Sequence, residues 1–131
     1  MPSGQASEHF VWEQFACPCR RCSGFPIDLE GLKATIQDAE AILTALDGEP
    51  LLILRGWLCE AAVLECEEAE AEAHAESQGF DFVTEKISPG NIQRTLKRKL
   101  ERGLLRVSIG GKDGYTHVER PLTEAPRWWR G

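Results

Sequence analysis

Leu104-Leu105-Arg106-Val107-Ser108-Ile109-Gly110-Gly111-Lys112-Asp113-Gly114-Tyr115-Thr116-His117-Val118-Glu119 decides the fold class. Leu104 to Ile109 and Tyr115 to Glu119 are strand-like runs, and the segment between them has the glycine-rich chemistry of a hairpin turn. Upstream, Ser88-Pro89 is a cap followed by proline at the first helical position. Ile92, Leu96 and Leu100 mark the buried face of that helix, and Gly103 closes it. Phe80 to Thr84 reads as a short strand after the break at Gly79. Residues 58–77 are rich in Ala and Glu, which favours helix. Leu51 to Leu54 reads as a buried strand, started by Pro50 and broken by Gly56. Before it, Asp28 is a good N-cap for a helix whose Leu29, Leu32, Ile36, Leu43 and Leu46 recur at helical spacing, with Asp47-Gly48 as its stop. Phe10, Val11, Trp12 and Phe15 form an apolar cluster that should dock on the body after a loose polar start. Cys17 to Gly24 reads as a loop, and Arg127-Trp128-Trp129-Arg130-Gly131 as an aromatic, basic tail. The order predicts one α+β domain over 1–131, a small antiparallel sheet flanked by helices.

Composition narrows the function. The chain has 131 residues and a formal charge of -6, which argues against a broad nucleic-acid footprint. Residues 60–76 hold seven Glu and no base, whereas residues 86–106 hold seven bases against Glu101; both read as solvated helix faces. No apolar run is long enough to span a membrane. Met1-Pro2-Ser3-Gly4-Gln5 lacks the basic-then-apolar pattern of a signal peptide, so synthesis in a cytosol is expected. If the protein acts outside, something else must release it. Five Cys without a secretion signal argue against a simple disulfide framework.

Two of the three His lie near carboxylates. His74 precedes Asp81 by seven residues at a helix–strand junction, and His117 sits on the last strand, two residues before Glu119. Two imidazoles and one carboxylate with an open fourth position make a catalytic-type zinc site. Neutral imidazole suits the borderline-soft ion, the carboxylate lowers its charge, and the open position holds the water to be activated. On spacing alone, a His near an acid is more often a surface pair or a satisfied core group than a metal ligand.

The surroundings add a resemblance. His74-Ala75-Glu76-Ser77-Gln78-Gly79-Phe80-Asp81 resembles the Ser-His-x-x-Gly-x-Ala-x-Asp motif of the LAS zinc peptidases, the group of lysostaphin, D-Ala-D-Ala peptidases and the hedgehog domain. His117-Val118-Glu119-Arg120 is similar to the His-Val-Asp-x-Arg motif of their small phage endolysin-like branch. Glu8 to Phe15 resembles that branch's His-Phe-x-x-x-Glu-Phe opening. Arg55-Gly56-Trp57-Leu58-Cys59 falls where the family has Ser-Gly-Tyr-Arg, and the tail resembles the family's ending. The resemblance covers nearly the whole chain. It implies a hedgehog/D-Ala-D-Ala peptidase-like fold, zinc held by His74, Asp81 and His117, and hydrolysis of peptidoglycan stem peptides in phage lysis or at a virion tail.

The substrate-handling residues depart from the family. The base that many relatives place three residues before the last His is Gly114 here. Glu119 is the first candidate to replace it, and Asp113 in the glycine turn is the second. The family's substrate-binding Arg is Leu58 here; Arg55 could supply the guanidinium, although a shift of three residues along a strand reverses the face. Ser77 replaces a Gly and Ala73 a Ser. These departures keep open a non-catalytic zinc-binding module on the same fold. A third reading is a metal-free interaction protein using its acidic helix.

The thiols leave several states open. Cys17, Cys19, Cys22 and Cys59 fit a second, structural zinc site, but also reduced, partly buried thiols or one disulfide such as Cys17 with Cys59. In each case Cys59 should approach the Cys17–Cys22 loop. Cys66 reads as a small apolar residue. The Trp128-Trp129 pair suits either a sugar or anionic polymer, or packing back onto the core, which is the expected outcome.

Overall fold

A five-stranded mixed sheet carries the chain, in a computed structural model that describes residues 3–19, 21–66, 71–121 and 125–131. A single 3-10 turn, Trp12–Phe15, precedes α1 (Glu30–Ala45). Then follow β1 (Leu51–Arg55), α2 (Glu60–Glu65), α3 (Ala71–Ala75), β2 (Gly79–Thr84), α4 (Pro89–Glu101), β3 (Ser108–Gly111), β4 (Thr116–Glu119) and β5 (Trp128–Arg130). The strand order is β1-β2-β4-β3-β5. The pairs β1/β2, β2/β4 and β3/β4 are antiparallel, while β5 runs parallel to β3.

That last pairing corrects the expectation of a purely antiparallel sheet. The tail returns along β3 as a fifth strand, with Ile109, Gly110 and Gly111 opposite Trp128, Trp129 and Arg130. Glycine makes this possible: a Cβ at Gly110 would lie 2.8 Å from the Trp129 ring. The strand expected over 104–109 begins only at Ser108. Leu104 is exposed just after the left-handed Gly103, although Leu105 and Val107 are buried. The helix expected over 58–77 is seen as two short helices, α2 and α3; residues 67–70 between them lie outside the described residues.

Helices α1 and α4 form as their signals require. Leu29 rather than Asp28 is the N-cap of α1; Asp28 sits one residue earlier, its Oδ1 accepting from Glu30 N at 3.0 Å. At the far end Asp47 and Gly48 turn left-handed and Gly48 N donates to Leu43 O. Ser88 Oγ accepts from Asn91 N at the start of α4. Leu32, Ile36 and Ile42 of α1 meet Ile92 and Leu96 of α4 in one core with Phe80, Phe82, Ile109 and Val118 of the sheet. Each such fully buried side chain contributes about 1.5–3 kcal/mol. Phe10 and Phe15 join the same core, so the N-terminal cluster docks as expected.

Strand alternation then sends the intervening residues to the other face of the sheet. The cross-strand partners Asp81 and His117, His117 and Gly110, and Gly110 and Trp129 make one row on it. Arg55 joins the row because the register of β1 slips by one residue after Ile53. Leu51 and Ile53 pair with Thr84 and Phe82, and Leu54 is the extra residue. Regular alternation would place Arg55 on the core face with Leu51 and Ile53; the bulge turns it to Asp81 instead.

Candidate metal centre

His74, Asp81 and His117 are all fully buried, and their ligating atoms lie within 4.8 Å of one another. Each arrives by a different route. Asp81 and His117 are register partners on β2 and β4. His74 sits near the end of α3, one turn before Ser77, which reverses the chain into β2 in the left-handed conformation. Ser77 O accepts from Thr35 Oγ1 and, at 3.2 Å, from Arg120 Nη2. Arg120 also pairs with Asp38 at 2.8 Å, so the end of β4 is tied to α1 and to the turn that carries His74.

The hydrogen-bond partners orient both imidazoles. His74 Nδ1 donates to the Gly56 carbonyl at 2.8 Å, because a carbonyl can only accept. In the neutral ring this leaves the lone pair on Nε2, which faces Asp81 Oδ2 at 3.3 Å. His117 Nδ1 meets Asp81 Oδ1 at 2.7 Å, and its Nε2 meets Glu119 Oε1 at 2.8 Å. A neutral imidazole has one N–H for these two carboxylates. With Nε2–H donated to Glu119, the Nδ1 lone pair also faces Asp81. In that tautomer two nitrogen lone pairs and a carboxylate converge in a buried site, a donor set that suits a cation between them. Tetrahedral N/O coordination at about 2.0–2.1 Å places its donors about 3.3–3.4 Å apart, the scale of the His74–Asp81 separation. The residues therefore fit a single metal ion.

The site residues expected from sequence divide into two groups. Arg55 reaches the centre: its Nη1 is 2.9 Å from Asp81 Oδ2, and its guanidinium lies 5.4 Å from the centre of the Tyr115 ring. Glu119 shares the face of His117 and touches it, on the ring nitrogen remote from Asp81. Asp113 is exposed in the β3–β4 turn, where it lines a cleft with Pro89, Gln93 and Arg130, none of which belongs to the centre.

Sequence reasoning missed four contributors. Gly56 supplies the carbonyl that orients His74, and a Cβ there would fall 2.5 Å from Phe15 Cα. Trp129 stands edge-on to His117, with ring centres 5.9 Å apart, and Arg127 covers its other side at 4.5 Å. Tyr115 underlies Arg55. The run Arg127-Trp128-Trp129-Arg130 has no strand period, so the tail's part in the site had no local signal.

The thiols form a second group. Cys17, Cys19, Cys22 and Cys59 also bring their sulfurs within 4.8 Å of one another, and all are free. Cys59 therefore meets the loop as expected. The Arg21 backbone N–H, followed by Cys59 and Cys22, pulls the Cys19 thiol down to about 6. Burial pushes Cys17 up to about 12. Cys66 lies outside this group, at the end of α2.

No helix among the described residues is long and apolar enough to cross a membrane. Compared with protein-family models, with curated proteins and with solved structures, the chain matches none of them.

Proposed function

We propose that this protein is a zinc-dependent peptidase acting on peptidoglycan stem peptides, on a hedgehog/D-Ala-D-Ala peptidase-like fold. The observation that carries the reading is the buried convergence of His74, Asp81 and His117, with Glu119 on the outer nitrogen of His117. Zinc held there supplies Lewis-acid activation of water and of a scissile carbonyl. The chain's own residues divide the remaining work. Gly56 and Glu119 fix the two imidazoles so that their lone pairs face inward. Glu119, a quarter exposed, is assigned the water's proton; it would have to turn from the outer nitrogen of His117 toward the ion to take it up. Arg55, partly exposed at the rim, offers its guanidinium to a stem-peptide carboxylate. Beside it opens a cleft of about 590 Å³ lined in part by Leu54, Leu58 and Ala62, though by none of His74, Asp81, His117 and Glu119.

A second reading, a non-catalytic zinc module, is favoured by the complete burial of all three ligands and by the bond that engages Arg55 with Asp81. One experiment separates the two. Purified wild type and His117→Ala are assayed for zinc content and for peptides released from cell-wall preparations of several peptide chemistries. Peptide release that is lost with the zinc in His117→Ala supports the peptidase. Zinc-loaded wild type that releases nothing from any preparation gives the lead to the non-catalytic module.

A further inference from the structure

The four sulfurs beside α2 are arranged for a purpose the peptidase reading does not use. We propose that Cys17, Cys19, Cys22 and Cys59 bind a second, structural zinc-class ion as a tetrathiolate, stapling the N-terminal loop to the β1–α2 connection. Cys19 Sγ lies 3.5 Å from both Cys22 Sγ and Cys59 Sγ. A tetrahedral ion with bonds of about 2.3 Å spaces its sulfurs about 3.8 Å apart. A covalent pair would stand about 2.0 Å apart. The spacing therefore suits a shared ion.

The backbone supports the same chemistry. Arg21 N donates to Cys19 Sγ at 3.4 Å, Gly24 N to Cys22 Sγ at 3.3 Å, and Cys59 N to Cys17 Sγ at 3.4 Å. Three N–H groups aimed at three sulfurs stabilise the negative charge that four thiolates bring to a divalent ion. Soft donors alone, with no imidazole or carboxylate in the group, select a thiophilic metal. Uptake of the ion forms four S–metal bonds and releases the S–H protons to solvent, with no change of oxidation state.

The position gives the ion a structural task. Cys59 lies about forty residues from its partners in sequence and three after Gly56, whose carbonyl orients His74. Trp57 N donates to Phe15 O and Leu58 N approaches His74 O, so the segment between the two groups is held on both sides.

The test uses the full chain, purified under reductant and reconstituted with cobalt(II). Wild type and His117→Ala should both show the intense near-ultraviolet sulfur-to-cobalt charge transfer of thiolate ligation. Cys19→Ser/Cys22→Ser should lose that band together with one metal equivalent. The His117→Ala arm makes the thiolate site independent of the peptidase reading, which can fail without moving the band. Folded, cobalt-saturated wild type without the band overturns the proposal, whether or not the Cys variant folds. On protein purified without reductant, a thiol count in denaturant two short of the five Cys overturns it in favour of a disulfide.

Discussion

His117 Nε2 lies 2.8 Å from Glu119 Oε1, two residues along the same strand, while Nδ1 of the same ring lies 2.7 Å from Asp81 Oδ1. One imidazole thus joins the carboxylate inside the centre to the carboxylate at its rim. Glu119 meets the ring's outer nitrogen and is also the proposed proton acceptor, and two substitutions separate these parts. Glu119→Gln keeps an oxygen that accepts from Nε2–H but takes up no proton. It should keep its zinc and lose about 10²–10⁴-fold in peptide hydrolysis. Glu119→Ala should also bind zinc about 10–100-fold more weakly. Metal titration beside the rate assay checks both; full activity in Glu119→Gln removes the base role from Glu119.

Arg55 is an electrostatic partner of the same centre. Its guanidinium offsets the buried Asp81 carboxylate, a task that a bound divalent ion would share. Removing one member of a buried pair costs about 3–5 kcal/mol, and the partial exposure of Arg55 reduces this to about 1–3 kcal/mol. Arg55→Ala should therefore lose more stability in chelator than with zinc bound. Denaturant unfolding of wild type and variant, with and without chelator, measures the difference. Equal losses in both states would separate Arg55 from the metal.

Gly56→Ala should act on core and centre together. The added methyl would lie 2.5 Å from Phe15 Cα and 2.7 Å from Phe15 O, so backbone must move. Overpacking of this kind costs about 1–3 kcal/mol. The displaced carbonyl also releases His74 Nδ1, and zinc affinity should fall about 10–100-fold. Thermal unfolding and zinc competition are the two readouts; unchanged zinc affinity with lowered stability would confine Gly56 to packing.

The N-terminus is latched by a pH-dependent contact. His9 Nδ1 lies 2.7 Å from Glu40 Oε1, and Glu40 Oε2 accepts from Ser7 Oγ and His9 N. The Glu40 hydrogen bond raises His9 above its ordinary 6.5. Burial pushes Glu40 up, but the bonds from Ser7 and His9 outweigh it and leave it below its ordinary 4.5. The His9 part is complete below pH 6.5 and is lost as pH climbs through the raised value. The Glu40 part is complete above pH 4.5 and is lost as pH falls through the lowered one. The latch is therefore strongest between pH 4.5 and 6.5. An NMR titration of His9 should show a midpoint above 6.5 that returns to it in Glu40→Gln.

What the sequence made legible was whatever local chemistry dictates. Ser88-Pro89 started α4, Asp47-Gly48 stopped α1, and the glycine-rich turn joined β3 to β4 because each signal acts within a few residues. His74, Asp81 and His117 were readable as a group through the resemblance of their surroundings to the peptidase motifs; spacing alone did not join them. The fifth strand was not readable: three residues, Trp128 to Arg130, have no usable period, and their place depends on the space above Gly110 and Gly111. Nor was the route of Arg55. Counting by twos sends it to the core face, and only the extra Leu54 returns it to Asp81. Ser77, where the resemblance implies Gly, adopts the left-handed conformation with φ 58° that glycine would have taken more easily.

The slip at Leu54 also bears on how molecules of this protein behave toward one another at high concentration. β1 is an edge of the sheet, and Leu52 and Leu54 on it are half exposed. A straight, apolar edge strand is a template on which a second chain can add, the first step toward a fibril. An irregular strand makes a poor template, because its free amide and carbonyl groups no longer fall at even intervals. Deleting Leu54 would restore the even spacing with Arg55 still opposite Asp81, and leave a smooth edge for aggregation. At this position chain length matters more than side-chain identity, and a one-residue deletion should do more harm to solubility than any substitution of the same leucine.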